Sequence, residues 1–451
     1  MRTLVGRRAV VIGAGMGGLA MAGALAPYFE QVEILERDLL STFPASRSGT
    51  AQDRHPHGLL AGGLQALDRI FPGFRSDLAA AGAVPVSLAQ DVHFERPDVG
   101  VMPKRDFGIS VLCATRPLIE FVLRRRAEAI ANVTLRPASR VTEIVPAADG
   151  AGARGIRFVN GTGHPEALDA DLLLDASGRG APTLTLLDAL GRERPQMTEV
   201  GVDLNYATVV VELPPGAAAD WKVLLTQPDP PRGLSHTIMV PTEDGRSIIV
   251  LADHAGTSWI ETWDAFLDAS RLLITPTLYN MLRYVRPPDE IRHYRFPVST
   301  WKHFERLPGL PRSVLPVADS FCRFNPIHGQ GMSSAAKQAS LLQDVLSGAA
   351  TAPDPVTAVQ SEFMTEVASV LETPWVMSTS ADLAFPQTRG ERPENFAEER
   401  QFEAALFRAA VADPVVHRAM TEVAQLLENG QRLHEPDIVR RIEVVSAKVA
   451  A

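Results

Sequence analysis

Hydrophobic and polar positions along the chain fall into three regimes. The first opens with the apolar run Ala9-Val10-Val11-Ile12, and no charge then appears through Phe29, a stretch of 21 residues. That is long enough to span a bilayer. However, Gly13, Gly15, Gly17, Gly18 and Gly23 interrupt it, and a buried strand, a tight turn and a buried helix account for the same residues. No membrane span is expected. Strict alternation follows in Val32-Glu33-Ile34-Leu35-Glu36, a strand ending in an acid. Further on, the pattern predicts a helix over Pro117 to Ala127 and an apolar strand, Leu172 to Leu174, closed by Asp175. Pro316-Val317-Ala318-Asp319-Ser320 reads as another strand ending in an acid, before a small-residue helix from Ser333 to Leu346. The second regime runs from about Arg192 to Pro297. Tyr206 to Leu213 and Ser247 to Leu251 read as strands there, with Pro/Gly-rich connections such as Pro228 to Gly233, which predicts an antiparallel sheet. The third regime follows Pro355 and is helical, clearest over Val356 to Glu372 and Glu399 to Asn429, with Pro374, Pro386 and Pro393 breaking the stretch between.

Within the first regime, Gly13-Ala14-Gly15-Met16-Gly17-Gly18 is a G-x-G-x-x-G between strand and helix. Gly13 permits the tight turn, Gly15 lets the backbone approach a pyrophosphate, and Gly18 allows close helix–strand packing. The helix that follows offers unpaired N–H groups and a positive dipole end to phosphates. Glu36 lies 23 residues after Gly13, where a carboxylate accepts hydrogen bonds from a ribose diol. An acid there suits an unphosphorylated ribose, as in FAD or NAD. A second loop-to-helix cradle, Asn325-Pro326-Ile327-His328-Gly329-Gln330-Gly331-Met332, appears some 300 residues later. A chain that returns to its nucleotide fold so late must insert another domain between the halves, and this favours FAD.

Composition changes the picture little. The chain has 451 residues, 45% apolar and 22% charged, with a formal charge of −9, so two or three packed lobes are expected. There is no dense Lys/Arg stripe, and nucleic acid is not an expected partner. The basic run Arg124-Arg125-Arg126 lies in a helical pattern and is expected to face solvent. Cys113 and Cys322 are the two cysteines. They are too few for a disulfide framework or a zinc site. Buried free thiols suit a cytoplasmic location.

The glycine motif, the Asp319 segment and the Pro-x-x-Gly-x-Gly-Met loop together resemble single-component FAD monooxygenases of the para-hydroxybenzoate hydroxylase superfamily. Arg54-His55-Pro56-His57-Gly58-Leu59-Leu60, followed by Phe71-Pro72-Gly73-Phe74, resembles an actinobacterial branch more closely. That branch holds polyether-type olefin epoxidases and flavin-containing [4+2] cyclases of spirotetramate and spirotetronate biosynthesis. The resemblance implies an α/β fold: a Rossmann-type FAD-binding domain (1–85, 105–190 and 298–350), an inserted antiparallel-sheet substrate domain (86–104 and 191–297) and a helical C-terminal lobe (351–451). It places Asp319 at the ribityl–pyrophosphate region of FAD, and the backbone of Pro326, Gly329, Gly331 and Met332 against the isoalloxazine. Arg116 is placed near the phosphates, Arg47 and Gln52 near the flavin, and Val141 near the adenine. Arg37, beside Glu36, joins the cofactor-binding set. Two departures stand out. Ala318-Asp319 replaces the usual Gly-Asp, so a methyl group either crowds the pyrophosphate or is absorbed by a small shift. The Asp-Gly motif used near FAD and NAD(P)H is replaced by Asp175-Ala176-Ser177-Gly178-Arg179-Gly180-Ala181-Pro182.

Two functions follow from the resemblance. One is epoxidation or hydroxylation of a large hydrophobic polyketide-like natural product, with electrons from NAD(P)H directly or from a separate flavin reductase. The other is a redox-neutral, FAD-containing cyclase that folds a polyene for intramolecular [4+2] addition, by holding reacting carbons close and aligned. A flavin carries most of the chemistry itself, so no catalytic residue and no metal ligand is assigned. His55 and His57 read as local hydrogen-bonding groups, and the backbone of His328 is expected to matter more than its ring. Trp221, Trp259, Trp263 and Trp301 are expected in the core.

Overall fold

Strand Gly6–Ile12 is buried over Ala9 to Ile12. It forms the centre of a five-stranded parallel sheet, ordered Val314–Pro316, Leu172–Asp175, Gly6–Ile12, Phe29–Leu35, Val133–Arg136. A computed structural model describes residues 3–214, 216–217, 220–233, 235–254 and 259–450. An uncharged strand run is what a position buried on both faces demands. Helix Met16–Leu25 is buried along its entire length and packs between this sheet and helix Gly331–Ala349. Small side chains let these two helices meet closely.

An eight-stranded sheet holds the second regime. Its order is Cys322–Arg323, Arg292–Lys302, Met197–Val211, Ser247–His254, Ser235–Pro241, Val223–Thr226, Val92–Arg96, Gly100–Val101. All its pairs are antiparallel except Val223–Thr226 with Val92–Arg96. The period of two sorts its residues. Val209, Val211, Leu224, Met239, Ile249 and Leu251 pack under helices Trp263–Arg271 and Thr277–Leu282. Their neighbours Val223, Leu225, Ile238, Val240 and Val250 face the other way, into a cavity.

Helices Pro355–Leu383, Phe396–Ala412, Pro414–Ala424 and Pro436–Ala450 follow. Arg105, between strands Gly100–Val101 and Ser110–Cys113, donates to the carbonyls of Ala410 and Val411 at the end of one helix. A guanidinium there satisfies carbonyls that have no helical partner. No described helix is long and apolar enough to cross a membrane.

Several expectations need correction. Pro374 does not end a helix but lies inside Pro355–Leu383. It removes one backbone donor, and the hydroxyls of Ser378 and Thr379 bond back to the carbonyls of Pro374 and Trp375 through the same turn. Residues 399–429 are not one helix, because Pro414 starts a second one behind the N-cap Asp413. Asp319 does not end a strand: the strand stops at Pro316, and Asp319 lies in a 3₁₀ turn, Ala318–Ser320. Arg124 is buried and donates to the carbonyl of Ser41, whereas Arg125 is exposed. Trp301 is core, but Trp259 is exposed.

Candidate functional site

The first glycines behave as their spacing demands. Gly13 has φ +101°, and a Cβ there would lie 2.7 Å from the carbonyl oxygen of Ala176. A Cβ on Gly18 would fall 1.9 Å from the carbonyl oxygen of Gly13, which fixes the close approach of helix to strand. Gly15 is open, with only an Arg47 nitrogen at 3.9 Å, and it caps helix Met16–Leu25 without a side-chain bond. That helix start therefore keeps free N–H groups. Met16 itself is buried.

Glu36 is buried at the end of its strand. One carboxylate oxygen accepts from Ala14 N at 2.9 Å, and the other accepts from Asp38 N at 3.0 Å. Arg47 ties this corner together: it lies 3.2 Å from Glu36, 2.8 Å from Asp38 and 2.8 Å from Glu120. Burial works against ionisation of Asp38, yet hydrogen bonds from Ser48, Arg47 and Gly49 N outweigh it and hold its carboxyl below the ordinary value. Arg116 starts helix Arg116–Glu128 and reaches Glu120 at 3.1 Å, while its Nε is buried without a partner among the described residues. Arg37 is exposed, Gln52 is half-buried in the 3₁₀ segment Ser48–Arg54, and Val141 is half-buried in strand Arg140–Pro146. These three have no described side-chain hydrogen bond.

The second cradle packs on the first. Ala318 has φ +53°, a conformation that costs a non-glycine residue of the order of 1–2 kcal/mol. Its methyl points at Gly17, where an added Cβ would come within 2.6 Å of it. The methyl is thus seated against a glycine of the first motif. Burial pushes the Asp319 carboxyl up from its ordinary value. It sits near Gly331, whose added Cβ would be 3.9 Å from an Asp319 oxygen. Helix Gly331–Ala349 begins there without a side-chain cap. Gly329 has φ +66° with open space around its Cα, and Met332 is buried beneath. In place of the missing Asp-Gly motif, Asp175 accepts from Ser177 N, from Thr183 N and hydroxyl, and from the Ser320 hydroxyl.

Above the second cradle lies a cavity of about 720 Å³. The apolar face of the eight-stranded sheet forms one wall. Residues 56–60 and 326–330 form another, and the C-terminal helices close the rest. Trp221, Trp259, Trp263 and Trp301 take no part in its lining.

Polar groups gather where residues 326–330 meet helix Pro355–Leu383, and sequence reasoning missed most of them. Asp382 Oδ1 accepts from Asn325 Nδ2 at 2.9 Å and lies 3.1 Å from His328 Nε2 and 3.6 Å from His254 Nε2. Its Oδ2 is buried without a hydrogen-bond partner among the described residues, as are both ring nitrogens of His254, Nε2 of His236 and Oε1 of Gln330. Burial opposes ionisation of Asp382, but the flanking His328 and His254 bring its carboxyl down to about 2. Tyr206 donates to Asn325 Oδ1 at 3.4 Å. A signal was present: Asp382 is the one charged residue between Glu372 and Arg389, and a lone acid in an apolar helix must be held by something.

His57 bonds locally, through Nδ1 to the carbonyl of His55, whereas His55 bonds to the distant Thr208 hydroxyl on the eight-stranded sheet. Burial, reinforced by His57 and Arg292, lowers His55 to about 3. Burial and Arg116 lower His57 to about 4. Cys113 and Cys322 are buried and free, and burial raises Cys113 to about 12. Among the described residues, no group of three or more His, Cys, Asp or Glu converges on a metal site.

No family model matches the chain. Protein Rv3254 of Mycobacterium tuberculosis is 29% identical over 400 residues, 85% of this chain and 81% of that one. Solved structures align along almost the whole length. A flavoprotein/dehydrogenase from Cytophaga hutchinsonii gives a TM-score of 0.67 at 14% identity, covering 98% of this chain and 99% of the other. The p-nitrophenol 4-monooxygenase of Pseudomonas putida gives 0.65 at 19% identity, over 94% and 99%. A flavin-dependent brominase gives 0.60 at 15% identity, over 98% and 92%. The chain therefore has the α/β fold of these flavoproteins, with its helical C-terminal lobe. A dehydrogenase, a monooxygenase and a brominase stand among the proteins so named, so this likeness speaks to fold and leaves the reaction to the site.

Proposed function

We propose that the chain binds FAD and is a monooxygenase of a large hydrophobic polyketide-like molecule. Two uncapped helix starts, at Met16 and Gly331, support the cofactor assignment, together with the open backbone at Gly15 and Gly329. So does the buried, unpartnered Nε of Arg116, a cation suited to phosphate. In this reading Gly13 to Gly18 and Arg116 hold the pyrophosphate, Glu36 the adenosine ribose, Asp319 the ribityl chain, and residues 326–332 the ring. What a reduced flavin supplies there is activation of dioxygen.

The observation that carries the reading is the cavity. Its volume of about 720 Å³ lies within the range of small-molecule sites. Its middle is lined by Val86, Leu88, Val111, Leu225, Ile238 and Val240, and its floor is the segment assigned to the flavin ring. The protein's work is to desolvate an apolar substrate, align it over that floor and keep water out. Electrons come either from NAD(P)H at this site or from a separate reductase.

One observation favours the cyclase reading. The turn after Asp175 is knit to Ser320 by Gly178 N and by Asp175 itself, which leaves it without a free acid where hydroxylases use one. The test is to mix the purified yellow protein anaerobically with NADPH or NADH, with and without candidate polyenes, and then admit air. Bleaching followed by a product heavier by one oxygen supports the monooxygenase. An isomer of unchanged mass with the flavin still oxidised overturns it and favours the cyclase.

A further inference from the structure

Three imidazoles line the cavity, those of His57, His328 and His434. They differ in what stands behind them. His57 has its Nδ1 on the carbonyl of His55, with the Arg116 cation opposing protonation and burial opposing it more strongly. His434 is stacked on Phe402 at the far end, among the C-terminal helices, without a described carboxylate partner. His328 alone among them is backed by a carboxylate, with Nε2 3.1 Å from Asp382 Oδ1.

That geometry fixes a tautomer. Asp382 is ionised across the neutral range, and an ionised carboxylate can only accept. Nε2 of His328 then carries a hydrogen, and in the neutral ring the lone pair falls on Nδ1. Nδ1 has no described hydrogen-bond partner, and the residue lines the cavity wall. Asn325 donates to the same carboxylate oxygen and so fixes it from a second direction. His254 lies within 3.6 Å of that oxygen, stacked on Phe385 at 3.6 Å.

We propose that His328 is the proton acceptor of the cavity, oriented by Asp382, and that the substrate carries a phenolic or enolic hydroxyl placed against Nδ1. The substrate O–H bond breaks, its electron pair stays on oxygen, and the proton forms an N–H bond at Nδ1. The imidazolium so made is neutralised by the adjacent Asp382 carboxylate, as in other histidine–carboxylate pairs. Asp382 is a positioning residue, since it touches His328 and does not line the cavity. This inference rests on the cavity being the substrate site of the proposed flavoenzyme.

The experiment uses the full-length flavin-loaded protein with ¹⁵N-labelled histidine. Long-range ¹H–¹⁵N spectra are expected to show His328 protonated at Nε2 and bare at Nδ1, with that pattern lost in Asp382→Asn. The base itself is read with 7-hydroxycoumarin, a phenol whose neutral and ionised forms absorb at separate wavelengths. At saturation the ionised fraction of bound probe is expected to be at least about tenfold higher in the wild type than in His328→Gln, a modest share of what a positioned base contributes. Asp382→Asn should fall between them. A His328 protonated at Nδ1, or equal ionised fractions in wild type and His328→Gln, overturns the proposal. If His328→Gln loses its flavin, His328→Asn and Asp382→Asn carry the comparison. Wild-type protein that fails to hold FAD sinks the flavoenzyme reading alone, because tautomer and probe ionisation are read without turnover.

Discussion

Two buried charge clusters flank the proposed cofactor, and they are built on opposite plans. Around Arg47, three carboxylates share one guanidinium, and the hydroxyl of Ser48 and N–H of Gly49 complete the Asp38 carboxylate. Around Asp382, one carboxylate faces two imidazoles and an amide, and four further polar atoms nearby make no hydrogen bond among the described residues. A satisfied network stiffens what it joins, whereas unpaired buried groups cost energy and persist where a role requires them. The first cluster reads as scaffold for the nucleotide turn, and the second as working chemistry.

The largest expected effect breaks the first cluster. Arg47→Met strands Glu36 and Asp38 without their cation, leaves Glu120 with Arg116 alone, and should cost about 3–5 kcal/mol, read from urea unfolding. Stability within 1 kcal/mol of wild type would erase the contrast. Next comes acid. His55 and His57 have folded values of about 3 and about 4, against an ordinary 6.5. The unfolded chain therefore binds protons first, and stability is full above pH 6.5 and falls as pH drops toward these folded values. For His57 the loss is about 3 kcal/mol by pH 4. His57→Gln should flatten that part of the curve, and an unchanged slope would refute it.

A smaller effect tests how the two cradles fit. Gly17→Ala drives a methyl into that of Ala318 and should cost about 1–3 kcal/mol. Ala318→Gly relieves both the clash and the positive φ, so the double variant should recover most of the loss. A double-mutant cycle with no coupling would show that the methyl is not seated as described. The last effect sharpens the second cluster. Asp382→Asn keeps an acceptor for Asn325 but gives up the depressed carboxylate, and should lower stability at neutral pH by about 2 kcal/mol. It should also abolish a loss of stability on acidification. Asp382 has a folded value of about 2 against 3.8, so its contribution is present above 3.8 and lost as pH falls through 2. A drop of several kcal/mol at neutral pH would make it scaffold after all.

The nucleotide half was legible because its signals are local and steric. Gly13, Gly18 and Glu36 each act within a few residues of the turn they build. The eight-stranded sheet was legible in kind, from alternation at 206–213 and 247–251, but its longest strand begins nine residues earlier, at Met197. Charged and polar positions there, including Glu199 and Asp203, masked the period. The Asp382 group was hidden because its members come from 236, 254, 325, 328 and 382, and only folding brings them together. Pro374 misled for a related reason: the helix continues through it on packing that residue type alone does not reveal, since Pro374 is buried within Pro355–Leu383.

The seating of helix Met16–Leu25 has a consequence for how the chain is made. It carries no charge, is buried along its full length, and is covered by a helix that starts at Gly331. At about 5–20 residues per second of synthesis, its cover emerges roughly 15–60 s later. During that interval an apolar segment and an unfinished parallel sheet stand open beside the ribosome. Chaperone demand in the cell should therefore track the C-terminal third of the chain, even for truncations that leave the glycine motif intact.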